Sequence, residues 1–182
     1  MTEFNLPTNV SPALVRFADV LCMYDFELFS PQLRDLLGGP PSPLDERTIM
    51  FRLTEHAVHV CAVVVLESQD RTADADTLRT LAPITDQTTA RAARLAADSL
   101  ECKSIAHARG AAHFAACDPD DTGVVGRAAE HAAYAVAAAA SCCREPEGVR
   151  RVYDAAVNLL ALLHFGSPPA VVDLHVCTHA QT

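Results

Sequence analysis

Residues 145–165 read EPEGVRRVYDAAVNLLALLHF, and this stretch decides the fold class. Val149, Val152, Tyr153, Ala156, Leu159, Leu160 and Leu163 recur at spacings of three and four, which places them on one face of an α-helix. Glu145-Pro146-Glu147 ahead of them is a start signal. Proline lacks the N–H that the first helical position leaves unpaired in any case, and carboxylates suit the positive end of the helix dipole. Gly166 to Pro169 is the stop. This is the best helical periodicity in the chain, and its large apolar side chains predict a helix at the centre of the C-terminal half.

Reading back from it, Val124 to Cys143 is a second helical run, bounded by the turn Asp118-Pro119-Asp120-Asp121-Thr122-Gly123. Thr85 or Asp86 caps a helix through about Cys102, and another continues to Cys117 with Gly110 a weak point inside it. Of the chain's 32 alanines, 20 lie between Ala90 and Ala140. Alanine has the highest helix propensity because it loses no side-chain entropy, and it lets helix backbones approach closely.

The N-terminal half repeats the same punctuation. Ser11-Pro12 opens a helix carrying Leu14, Phe17 and Leu21. Ser30-Pro31 opens a short one around Leu33, Leu36 and Leu37, stopped by Gly38-Gly39-Pro40-Pro41. Ser42-Pro43-Leu44-Asp45 starts a third, with Ile49, Leu53, His56, Val60 and Val64 on one face. The Val-rich run 58–65 reads as helix on its length and upstream cap, with a buried strand as the alternative. Residues 68–82 are polar, with a turn or two of helix around Leu78. The tail alternates Val172, Leu174 and Val176 with Asp173, His175 and Cys177, a period of two that suits an extended segment over 171–176.

The expected architecture is therefore all-α, a compact helical bundle of about six helices, with an Ala-rich C-terminal half and an extended C-terminal tail. Residues 1–182 read as one helical domain, with sub-bundles at 11–82 and 85–165, an arm at 1–10 and a tail at 167–182.

Several constellations bear on chemistry. His56, His59 and Cys61 share one helix, and His and Cys are the ligands zinc favours. His56 sits on the apolar stripe, however, and Cys61 falls on another side of a regular helix, so a hydrogen-bonded core histidine is the expected reading. His175, Cys177 and His179 point to one side of an extended tail about 7 Å apart, too wide for one tetrahedral ion without a bend. Asp118 to Gly123 imitates the start of a calcium loop, but the residue that should be a bidentate glutamate is Ala129. His107, His113 and His131 lie among alanines that leave room between helices, without the Glu-x-x-His pairs of bundle metal sites. Cys142-Cys143 sits beside Arg144, where a cation lowers a thiol pKa. No cofactor is predicted, since no Gly-rich phosphate loop or nucleophile elbow is present.

The formal charge of −9 opposes phosphate backbones, so nucleic acid and anionic membranes are not expected as partners, and a basic protein surface is the complementary possibility. Seven cysteines, an odd count, and no signal-type segment suggest reduced thiols in the cytoplasm. The apolar run Val60 to Leu66 is far shorter than the ~20 residues of a membrane span. The run 106–140 resembles helical immunity proteins of bacterial toxin systems in its Ala- and His-rich composition alone, with no diagnostic motif, and no family is assigned on it. The function expected is a non-enzymatic one, exerted by protein–protein interaction as an inhibitor, immunity-type protein or assembly subunit. The alternative is a ligand- or metal-binding bundle, with His56, His59, His113 or His131 as the working groups.

Overall fold

The computed structural model describes residues 10–24, 37–38, 40–117 and 122–166. The short helix expected after Ser30, the Asp118–Asp121 loop and the tail with His175, Cys177 and His179 lie outside these, apart from Leu37, which is buried.

The described residues form seven α-helices and no strand, an all-α bundle. They are α1 (Pro12–Tyr24), α2 (Glu46–Ser68), α3 (Thr72–Arg79), α4 (Gln87–Ser99), α5 (Ala106–Ala115), α6 (Thr122–Cys142) and α7 (Pro146–Phe165).

The capping residues read from the sequence act as caps. Ser11 Oγ accepts from the Leu14 amide at 3.3 Å, and Glu46 reaches from α2 to accept the Ala13 amide at 3.2 Å. Asp45 accepts the Arg47 and Thr48 amides at 3.0 and 2.9 Å, and these hydrogen bonds hold its carboxyl below the usual carboxylate range. Asp86 and Thr89 form a reciprocal capping box at the start of α4. Gly166 closes α7 in the left-handed region at φ 71°, and a Cβ there would lie 2.7 Å from Pro43 Cγ.

The 58–65 run is helical. Within α2 the turn Ala57–Cys61 widens to π-helical register, which shifts the following side chains around the axis relative to a regular helix. It buries Ala57, Val58 and Cys61 and packs on α5 and α6. By length and composition α2 is apolar enough to cross a bilayer, and 67% of its most apolar window is buried inside the bundle.

The central helix is α6, which lies against α1, α2, α5 and α7. It buries Ala128, Ala129, Ala132, Ala133, Ala135, Val136 and Ala139 on one broad face, and of its described side chains only Arg127 and Ser141 are exposed. This corrects the expectation for residues 149–163. Helix α7 buries Leu160 and Leu163 but leaves Leu162 and Phe165 exposed, and it rests chiefly on α6. The physical reason is simple: clean amphipathic periodicity marks a helix with one face in water, whereas a hub helix is apolar all round and shows little periodicity. Ser42 fastens the end of α7 by donating its hydroxyl to the Leu163 carbonyl at 2.5 Å.

Candidate functional site

Helix α6 presents Arg127, His131 and Tyr134 at i, i+4 and i+7, a stripe along one edge. Helix α5 presents His107, Gly110 and Phe114 at i, i+3 and i+7. Side by side, the two stripes make a continuous ladder of rings. Tyr24 at the end of α1 meets Tyr134 edge-on at 6.4 Å between centroids. Tyr134 lies 5.1 Å from His107, His107 lies 5.7 Å from His131, and His131 lies 5.3 Å from Phe114. Arg127 caps the far end with its guanidinium carbon 5.6 Å from the Phe114 centroid, a cation–π contact.

Gly110 makes the ladder possible. A Cβ at this position would stand 2.8 Å from Cε1 and 2.9 Å from Cγ of His131, inside the van der Waals contact of the ring. The glycine expected to be a weak point of the helix is thus the socket for the imidazole. The Nδ1 of His131 is sealed there with no hydrogen-bond partner. Burial lowers the pKa of His131, with His107 adding to the effect and Glu130 opposing it. Burial also lowers that of His107. Both rings are therefore held toward the neutral form.

A shallow cleft opens on each side of the His107–His131 contact. The first, about 280 Å³, lies between α4, α5 and α6 and is lined by Arg94, Asp98, Arg109, His113, Phe114 and His131. The second, about 410 Å³, is a groove lined by Tyr24, Tyr134, Tyr153, Ala137, Ala138 and Cys143, with His107 at the ladder end. The chain has three tyrosines, and all of them are in this groove.

The other candidates are placed as follows. His56 has a sealed Nε2 without a partner, and burial pushes its pKa down to about 4. His59 Nε2 is likewise unpartnered, its pKa lowered by burial against the opposing effect of Glu55. Burial pushes the Cys61 thiol up to about 12, which disfavours the thiolate that a metal requires. Among the described residues no three His, Cys, Asp or Glu side chains converge to hold a metal ion, so His56, His59 and Cys61 do not form a ligand set. His175, Cys177 and His179 lie outside the described residues. Cys143 turns its thiol toward the Ala139 carbonyl at 3.5 Å and borders the groove. His164, not singled out from the sequence, is buried with neither ring nitrogen hydrogen-bonded.

Sequence reading groups His107, His113 and His131 together as histidines of the Ala-rich helices, with no motif to join them. The signal that joins His107 and His131 was present as two spacings, 107/110/114 and 127/131/134, but only their juxtaposition across α5 and α6 gives those spacings meaning.

Comparison with protein-family models, with curated proteins and with solved structures found no match to this chain.

Proposed function

We propose that this chain is a non-enzymatic helical protein that acts by binding another protein, as an inhibitor, an immunity-type protein or a subunit of an assembly. The observation that carries the reading is the convergence of all three tyrosines on one alanine-floored groove. Tyrosine offers a large, stiff, apolar ring with a polar tip, which is why it is enriched at protein interfaces. Ala137 and Ala138 make a shallow floor into which a partner's side chains fit. Tyr24 and its sequence neighbour Met23 stand well exposed at the rim end of α1, 53% and 66% accessible, large apolar surface available to a partner. The net charge of −9 favours a partner with a basic face and disfavours nucleic acid and anionic membranes. A reducing cell interior suits the thiols, since no disulfide joins the described cysteines.

A photo-crosslinking residue placed at Tyr24 or Tyr153, in a lysate of the native source, tests the reading. Both positions are expected to capture the same protein, while the exposed Leu95 on α4 captures none. Capture with equal yield from Leu95, or no capture from either groove position, overturns it. With the captured protein purified, Tyr24→Ala should weaken binding by about 1–3 kcal/mol while the melting temperature stays within about 2 °C.

A further inference from the structure

The cleft on the opposite side of the ladder is lined by more basic than acidic side chains, in a chain that is acidic as a whole. We infer that the α4–α5–α6 cleft is a binding site for a small organic anion, a molecule whose phosphate or carboxylate group is held by Arg94 and Arg109 beside His113 and His131. The inference is independent of the tyrosine groove.

Three observations carry it. First, the lining holds two guanidinium groups and two imidazoles against one carboxylate, Asp98, so it is net positive with neutral histidines in a chain of net charge −9. Second, the arginines are incompletely used. Each comes nearest to Asp98 by its Nε, at 3.4 Å from Arg94 and 3.6 Å from Arg109, and neither guanidinium donates a hydrogen bond to any described residue. Their side chains are 41% and 31% accessible, so both can be reached from solvent. A guanidinium that makes an ion pair at this length, without a hydrogen bond, can still offer an edge for bidentate contact with an oxyanion. Asp98 then acts as the orienting group for both, a positioning role. Third, the cleft has an apolar wall as well as charge. Phe114 lies on it with His131 and His113 in ring contact at 5.3 and 5.2 Å, a surface for the flat or aliphatic body of the ligand. With His131 Nδ1 sealed against Gly110, Nε2 is the nitrogen left to take a polar partner. The volume of about 280 Å³ admits a phosphate monoester or a small di- or tricarboxylate.

The test is a titration of the full chain with inorganic phosphate and with citrate, against sodium chloride at matched ionic strength and fixed neutral pH. The readout is the NMR signal of each histidine Cε1–H. Saturable shifts at His113 and His131, with His56 and His164 unmoved, are expected. Arg94→Gln and Arg109→Gln should each raise the apparent Kd roughly tenfold or more, the worth of a lost charge-assisted contact. Both side chains are partly exposed, so the variants should fold, and an unchanged His56 signal verifies it. Tighter binding of phosphate assigns a phosphate group, and tighter binding of citrate a carboxylate. Chloride-like, non-saturating shifts, equal movement of all the histidines, or wild-type affinity in both folded variants overturns the assignment.

Discussion

Gly110→Ala is a change for which helix propensity and tertiary packing give opposite signs. In an isolated helix alanine is better than glycine by about 1 kcal/mol. In this bundle the new methyl would stand 2.8 Å from Cε1 and 2.9 Å from Cγ of His131, against an optimal carbon–carbon separation of about 3.5–4.0 Å. The imidazole has little freedom to swing clear, because His107 and Phe114 flank it at 5.7 and 5.3 Å. The helices cannot part cheaply either, since α5 buries Ala108, Ala111, Ala112 and Ala115 and separation would undo their close packing. Overpacking of this kind costs roughly 1–3 kcal/mol. Less the gain in propensity, the net effect is a loss of about 1 kcal/mol, or about 2–4 °C in Tm for a chain of this size. The decisive measurement is urea denaturation of Gly110→Ala in the wild-type and His131→Ala backgrounds. Without the imidazole the alanine should stabilise by about 1 kcal/mol, a reversal of sign that a double-mutant cycle reads as coupling. If Gly110→Ala stabilises both backgrounds equally, the glycine is no socket and the reasoning fails.

Leu160, fully buried on α7, should lose roughly 2–5 kcal/mol on truncation to alanine, whereas Leu162→Ala should lose under about 1 kcal/mol in the same denaturation assay; similar losses would place the wrong face of α7 against α6. Stability should fall on acidification. His56 titrates near 4 in the folded chain and near 6.5 unfolded, so the unfolded state takes up the proton first as pH drops. Its contribution is fully present above pH 6.5 and is lost down to pH 4, about 3 kcal/mol over that window. His59, His107, His131 and His164 are shifted in the same direction and add to the slope. Denaturation as a function of pH checks this, and His56→Leu should flatten the curve; an unchanged slope would show that the ring is hydrated. His164→Leu should raise stability by roughly 1 kcal/mol, because it removes two buried, unpartnered nitrogens, and a clear drop in Tm would mean that the imidazole has a partner.

Particular residues show how far the sequence reaches. Asp45 and Asp86 were legible as caps because capping is local: a carboxylate and the two or three amides that follow it settle the matter among themselves. The same holds for Pro146 opening α7 and Gly166 closing it. The three-residue span Lys103–Ile105 is different. It forms a turn of 3₁₀-helix between α4 and α5, where the sequence reads as one helix ending at about Cys102 and another starting with no linking element. At the site, the tyrosines, Arg94, Arg109 and Phe114 carried no local motif, and His56, His59 and Cys61 carried a suggestive one that the folded chain does not assemble.

The sequence by itself determined the all-α class, the positions of most helix ends and the close packing of the alanine-rich half. These follow from propensity, capping and side-chain size, which act over a few residues. The tertiary structure decided which helix is central, that Gly110 receives His131, and that two clefts of different chemistry flank one ladder of rings. Tyr24 and Tyr153 are far apart in the chain, and so are Arg94 and His131. Their proximity depends on how the helices cross, and that is fixed by the sum of many small alanine and leucine contacts, not by any residue's own neighbours.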